Sequence, residues 1–459
     1  MNKKIIINKF GGAIMGDARL LALAADRVKE QYKDGSSPIV VVSALKGVTD
    51  ELISILYNLK QQMKDNGNRH YPDELIKLFM KDAKDRHFAM MSALNLSGAY
   101  KDSLTVKFTE IFNELEEDLG VIRKFGLLDV FQAKILAYGE RLASWLFSHL
   151  LESRGVTSVR IGEEAGIATD SVFLDANIFF DKSSLNVCKF LKDEERVPVV
   201  AGFIGKNEDG QITVLGRGGS DTTACFLGAA MKAESVILWK EVDGVLSADP
   251  KIVPSAKTVP YISYEEAEES GKVICDKAIQ YLKMFSLKGI AASLTNPSIR
   301  TEIGPRTEAE KGVKIISSKK DLTLVIITDE GVKEYGFLYQ ISKIFTNHKV
   351  NMALIRNTRD RLYIVVENNG GSDKVSASLD ELKQFHFGLE VMQVSMVTVI
   401  GNLDFGAANT FNDTLCSLCP NAPIGGFPYK DCVRLEAVVK NEELEIVIRG
   451  FHKVFIART

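Results

Sequence analysis

Val214-Leu-Gly-Arg-Gly-Gly-Ser-Asp-Thr-Thr-Ala224 is the stretch on which the reading of this chain turns. An apolar strand over 211–215 runs through a glycine-rich turn into an apolar helix over 223–231. Such a turn sets backbone N–H groups at a helix N-terminus, where the macrodipole favours an anion. Gly216, Gly218 and Gly219 permit torsions closed to other residues and let a ligand come close to the backbone. Arg217 offers a planar fork suited to a carboxylate or phosphate. Ser220 and Asp221 also suit helix capping. A cap needs no arginine between glycines, so a bound anion explains the stretch better.

Working outward, Lys4 to Asn8 is a short apolar strand, followed by Lys9-Phe-Gly-Gly12 and a helix over 17–32. Pro38-Ile-Val-Val-Val42 closes a βαβ unit as a continuous apolar run, the mark of a parallel strand buried on both faces. Ser43-Ala-Leu-Lys-Gly-Val-Thr49 is then a loop at the carboxyl end of that strand, where ligands of open α/β sheets collect. From 50 to 150 the periodicity is helical, with Gly67, Gly98, Gly120 and Gly126 as expected breaks, and this reads as a helical insertion packed on the sheet. Within it, Glu140-Arg141 taken alone reads as a solvated helix face. Strands are expected over 156–161, 198–204 and 235–239, with a hairpin turn over 206–210. The last strand leads into Lys240-Glu-Val-Asp-Gly-Val-Leu-Ser-Ala-Asp-Pro-Lys251, and 259–269 reads as a strand edge and a helix start.

Thr295-Asn-Pro-Ser298 and Gly304-Pro-Arg306 mark a linker, beyond which the rhythm changes. Strands are expected over 322–328, 350–356 and 362–367, and helices over 335–347 and 372–385. Two successive strands over 388–395 and 396–400, a helix over 405–418 and strands over 433–439 and 444–448 complete a doubled β-α-β-β-α-β pattern. Its second copy is irregular over 419–429.

Composition narrows the function classes. A chain of 459 residues predicts two or three domains, and 46% hydrophobic with 25% charged residues is ordinary for a globular protein. A net charge of −3 gives no footing for nucleic acid or a membrane surface. The apolar run Ile5-Ile-Ile7 is too short for a signal core or a membrane span, so a cytoplasmic location is expected. Six cysteines do not form a disulfide framework in a chain this long, and Cys416 and Cys419, with Cys432 nearby, lack the partners of a four-ligand zinc site. They read as small packed thiols, and no metal ligand set is expected from the protein.

Five pieces in matching order resemble the aspartokinase family of the amino-acid kinase fold: Lys9-Phe-Gly-Gly12, Val42-Ser-Ala44 with Gly47 and Thr49, Gly139-Glu140, Gly216 to Thr223, and Val242-Asp-Gly-Val245 with Ala248-Asp-Pro250. The resemblance implies an α/β catalytic domain over 1–303, a mainly parallel open sheet sandwiched by helices with the insertion near 50–130. It further implies paired ferredoxin-like ACT domains over 304–459. The implied reaction is transfer of the ATP γ-phosphoryl group to the β-carboxylate of L-aspartate. By similarity to the family, Lys9 and Asp221 are the catalytic pair, Lys9 on the transferring group and Asp221 holding the cations. Ser43, Thr49, Glu140, Arg217 and Ser220 would bind aspartate, with Arg217 on a carboxylate and Glu140 on the α-ammonium group. Gly11, Gly12, Gly218 and Gly219 would line the phosphates, and magnesium would ride on the nucleotide. The ACT pair implies a homodimer and an amino-acid effector, lysine or threonine, with Asn347, Asn351 and Met352 in the segment to inspect.

The nucleotide side departs from the family pattern. Ala13-Ile-Met15 replaces Thr-Ser-Val, Lys240-Glu241 replaces a Thr/Ser-Asp pair, Leu246 stands for a tyrosine and Lys251 for an arginine. A Phe-Gly-Ala-Lys-Val-Leu-His-Pro segment survives only as a remnant around Lys272. Lys240, Glu241, Leu246, Lys251 and Lys272 are the expected nucleotide contacts, alongside the glycines and Lys9. Two alternatives therefore stand beside an active aspartokinase: a weak paralogue that binds an amino acid and regulates a partner, and a kinase of this fold for another carboxylate.

Overall fold

Parallel pairing of β1 (Ile5–Phe10) with β2 (Ser37–Val42), Lys9 opposite Val41, forms the expected βαβ unit. The computed structural model describes residues 3–65, 73–191, 194–271, 274–307, 311–368, 372–422 and 433–457. They divide into two units, Met1–Val245 with Thr258–Thr307, and Leu246–Lys257 with Glu308–Thr459. Between β1 and β2 run a single turn, α1 (Gly12–Met15), and α2 (Ala18–Lys33). The Asp17 carboxylate caps α2 by accepting the Arg19 and Leu20 N–H groups, and Leu21, Ala24, Ala25 and Val28 face the sheet at helical spacing.

Five helices follow: α3 (Val48–Asp65), α4 (Asp73–Ala93), α5 (Gly98–Phe125), α6 (Asp129–Leu136) and α7 (Tyr138–Ser153). Gly98 opens α5 and Gly126 ends it, but Gly120 lies within the helix and breaks nothing. An isolated glycine costs a helix only about 1 kcal/mol, which the apolar packing of α5 offsets. Gly67 lies outside the described residues.

The remaining elements of this unit are β3 (Ser158–Ile161), α8 (Phe180–Leu191), β4 (Val197–Ala201), the hairpin of β5 (Ile204–Lys206) and β6 (Ile212–Val214), α9 (Gly219–Ala230), β7 (Ser235–Lys240), β8 (Tyr261–Ser263), α10 (Tyr264–Ser270), α11 (Asp276–Met284), β9 (Gly289–Ser293) and β10 (Arg300–Gly304). The main sheet has the order β3-β4-β2-β1-β7-β9-β10-β8, and every pair from β3 to β9 is parallel. Only β10 against β9 is antiparallel, so the expected linker near 295–306 contains a sheet strand. β1 lies between β2 and β7, and the segments beyond the carboxyl ends of β1 and β2 line one crevice.

The second unit is a five-stranded antiparallel sheet with helices. Its elements are β11 (Gly312–Thr328), α12 (Phe337–Asn347), β12 (Met352–Asn357), β13 (Arg361–Glu367), α13 (Ser372–Leu382), β14 (Gly388–Asn402), α14 (Phe405–Leu418), β15 (Arg434–Lys440) and α15 (Leu444–Phe455). The order is β12-β13-β11-β14-β15, with β11 and β14 paired along their length across a register shift between Lys319 and Leu322. The two strands expected over 388–400 are thus one. The strand expected at Leu444–Ile448 is the start of α15, whose Leu444, Val447, Ile448 and Phe451 are buried at helical spacing.

Residues 246–257 join this unit although they fall between β7 and β8 in sequence. Ser247 accepts the Ile316 N–H on its carbonyl at 2.8 Å, and its hydroxyl meets His452 Nε2 at 3.2 Å. Ala248, Ile252 and Val253 enter a core with Phe411, Leu415 and Phe451. Cys419 belongs to that core, where burial pushes its thiol up to about 12, while Cys416 is exposed and Cys432 lies outside the described residues. Among the described residues no cluster of three metal-ligating side chains occurs, and no helix is long and apolar enough to cross a membrane.

Candidate active site

The glycine turn sits between β6 and α9, as its sequence required, but α9 begins at Gly219 rather than near Thr223. Gly216 and Gly218 both adopt φ of 74°, which a side chain resists. Gly218 is the N-cap, so Ser220 and Asp221 stand inside the first turn and cap nothing. Their side chains, with Arg217, instead line a cavity of about 340 Å³.

Lys9, one residue from the end of β1, reaches into that cavity and meets Asp221 at 2.7 Å. Both side chains are largely buried, 11% and 13% exposed. Gly12, Ser43, Thr49 and Glu140 line the same cavity, so residues far apart in sequence converge at the carboxyl ends of β1 and β2. Arg217 is exposed and has no ion-pair partner among the described residues. Its guanidinium is free to receive an anion.

Glu140 refutes the solvated-face reading. It is 4% exposed; Oε1 accepts the Ala44 N–H at 3.1 Å, and Oε2 has no hydrogen-bond partner among the described residues. Burial pushes its carboxyl up to about 8, against the pull of the Ala44 N–H and the Lys9 charge. Arg141 turns away, meeting Glu114 at 2.8 Å and lying 4.7 Å over the Tyr138 ring. Gly139 makes this arrangement possible. A Cβ there would stand 2.7 Å from the Ala44 Cβ, so α7 could not approach the Ser43–Thr49 loop. Gly139→Ala is therefore expected to cost about 1–3 kcal/mol of stability, as overpacking does. It should also weaken ligand binding at Glu140, which thermal unfolding and titration of the variant would measure.

The nucleotide-side expectations divide. Gly218 and Gly219 line the cavity, and Gly11 adjoins it: a Cβ there would lie 3.1 Å from Lys9 Nζ. Lys240 ends β7, where burial pushes its ammonium below the ordinary lysine value, with Asp221 opposing the shift and Lys9 adding to it. Glu241 follows it as an exposed residue. Leu246 and Lys251 fall in the second unit, and Lys272 lies outside the described residues. Of the altered Ala13-Ile-Met15 triplet, Ala13 lines the cavity, whereas Ile14 and Met15 are core residues. Lys46, Asp50 and Phe203 also line the cavity and were not singled out from sequence. Lys46 sits in the quoted strand-end loop, the one signal that marked it.

The Amino acid kinase family model matches residues 4–290. The aspartokinase of Geobacillus stearothermophilus is 27% identical over 384 residues, covering 82% of this chain and 75% of the relative. The aspartate kinase of Pseudomonas putida is 26% identical over 474 residues, covering 98% and 97%. Among solved structures, E. coli aspartokinase III in complex with lysine and aspartate has a TM-score of 0.83 at 21% identity, covering 98% of this chain and 99% of that one. The same E. coli enzyme with aspartate and ADP has a TM-score of 0.79.

Proposed function

The chain belongs to the amino acid kinase family, and from that premise we propose that it is an aspartokinase, transferring the γ-phosphoryl group of ATP to the β-carboxylate of L-aspartate. The observation that carries this reading is the meeting of Lys9, Asp221, Glu140 and an unpaired Arg217 around one cavity. A carboxylate nucleophile is already ionised and needs no general base. The site's work is to align two anions and neutralise the charge that develops between them.

Lys9 acts on the transferring group, and Asp221 holds that ammonium in place. Arg217 takes an aspartate carboxylate in its fork, and Glu140 accepts the α-ammonium group, with Ser43, Thr49 and Ser220 completing the pocket. Gly11 and Gly12 at the start of α1, with Gly218 and Gly219 at the start of α9, present backbone to the phosphates. Magnesium is read as riding on the nucleotide phosphates and water, which suits its reluctance to shed its hydration shell. Trapping the acyl phosphate with hydroxylamine, in the presence of ATP, magnesium and a panel of acids, tests the proposal. Hydroxamate formed with aspartate supports it; binding without turnover, or preference for another acid, overturns it.

Glu140 adds a proton signature. Its carboxyl, pushed up to about 8, holds a proton at pH 7 that an incoming ammonium group must displace. Aspartate binding at pH 7 is expected to release a proton, so the calorimetric heat should vary with the ionisation enthalpy of the buffer. In Glu140→Gln that dependence should vanish and aspartate affinity should fall.

The reaction opens the synthesis of aspartate-derived amino acids such as lysine and threonine, which suits a cytoplasmic enzyme. The second unit is read as a pair of ACT domains that join two subunits and bind lysine or threonine. The lysine named with the E. coli enzyme supports that reading. Asn347 at the end of α12 and Asn351 before β12 are exposed there, whereas Met352 packs on the core.

A further inference from the structure

Arg217 stands free although a carboxylate lies beside the turn that carries it. The segment 170–177 runs along β6: Val214 donates its N–H to the Phe173 carbonyl at 2.8 Å and accepts the Ala176 N–H at 2.9 Å. That pairing sets Asp175 against Gly216, the residue before Arg217, where a Cβ would collide with the Asp175 carboxylate. Both Asp175 and Arg217 are exposed, and the guanidinium rides on a long, flexible stem one residue away. Left to themselves the two would pair, yet Arg217 lines the cavity with no ion pair among the described residues.

Lys277, in the first turn of α11, already holds that carboxylate. Its ammonium donates to Asp175 Oδ1 at 2.6 Å. It also meets the carbonyls of Asp175 at 3.2 Å, Ala176 at 3.3 Å and Leu215 at 3.5 Å. The lysine thereby bridges the 170–177 segment to Leu215, the residue before the glycine turn. On the other side of Arg217 the Cys275 thiol donates to the Gly218 carbonyl at 3.3 Å, so the start of α11 steadies both flanks. A cation in a first helical turn opposes the macrodipole, so the stability of α11 does not account for Lys277. What it satisfies is the carboxylate beside Gly216.

We propose that Lys277 is a positioning residue for substrate binding: by claiming the Asp175 carboxylate, it keeps the Arg217 guanidinium free for a carboxylate of the substrate. Asp175 is an internal competitor for Arg217, and apparent affinity falls by the fraction of Arg217 that such a competitor occupies. Lys277 touches no reacting atom and acts only through Arg217. The inference deepens the kinase reading and rests on it for the identity of the acid.

The test compares wild type, Lys277→Met, Asp175→Asn and the Lys277→Met/Asp175→Asn double variant, by hydroxamate assay and by calorimetric titration with aspartate and with ADP. Lys277→Met should raise the aspartate KM and Kd about two- to fivefold, the range that an exposed ion pair spans. Its kcat and ADP affinity should stay near wild type. Asp175→Asn in that background removes the competitor and should restore the aspartate KM. Salt screens an exposed pair, so the ratio of Lys277→Met to wild-type KM should shrink at high ionic strength. Lys277→Arg keeps the charge and should behave as wild type, and Lys277→Met should add nothing to the loss in Arg217→Ala. An unchanged KM in Lys277→Met overturns the proposal. So does a raised KM that Asp175→Asn fails to restore, which marks Lys277 as scaffold only. If Lys277→Met does not fold, Lys277→Gln carries the same comparison. A wild type that forms no hydroxamate with aspartate refutes the aspartokinase reading, while calorimetric affinities for whichever acid of the panel it binds still decide Lys277.

Discussion

Lys9→Met is expected to lower aspartate-dependent turnover by about a hundred- to a thousandfold, the usual cost of removing one group that stabilises transition-state charge. Lys9 is one residue from the end of a central parallel strand, and its ammonium is held 2.7 Å from Asp221 in a largely dry place. Reduced solvent screening there makes the charge worth far more than in water. Because the loss arises in the transition state, kcat should carry it and the aspartate KM should move little. Stability provides the control. Lys9→Met leaves the Asp221 carboxylate buried without its partner, which destabilises the fold, whereas a Lys9→Met/Asp221→Asn double variant removes both charges. The double variant should regain stability in thermal unfolding and remain inactive. Recovery of activity along with stability would show the pair to be structural only.

Arg217→Ala should act on the other parameter, raising the aspartate KM roughly ten- to a hundredfold, the span of a charged hydrogen-bonded pair. The guanidinium stands exposed on the turn between two left-handed glycines and has no ion pair among the described residues. Removing it therefore leaves no buried charge behind, and thermal stability should be unchanged. ADP affinity should also hold, since the backbone of the turn is kept. Lysine at this position restores charge without the fork, so Arg217→Lys should recover only part of the loss. Steady-state kinetics with both substrates varied checks all three statements, and a rise in the nucleotide KM alone would assign Arg217 to the wrong ligand.

Several elements were legible from the chain because local physics and tertiary context agree there. The apolar run at Pro38–Val42 is a doubly buried parallel strand, and Asp17 caps the helix it precedes. Where they disagree, the local reading failed. Leu444–Ile448 is too short an apolar run to distinguish strand from helix, and only the continuation to Phe451 shows the helical spacing. Glu140-Arg141 reads as a wet pair, yet the absent Cβ of Gly139 lets α7 close on the Ala44 loop and seals the carboxylate in. Ile14, a departure from the family pattern, packs its side chain into the core rather than the site.

By itself, the sequence determined the strand–glycine turn–helix units and the residue types gathered at their ends, because backbone torsions and hydrophobic periodicity act over a few neighbours. Tertiary structure alone decided that Lys9 pairs with Asp221 and that residues 246–257 enter the core of the second unit. Those outcomes depend on which strands become neighbours and which faces are buried. That choice is settled by the collective burial of apolar surface across the whole chain.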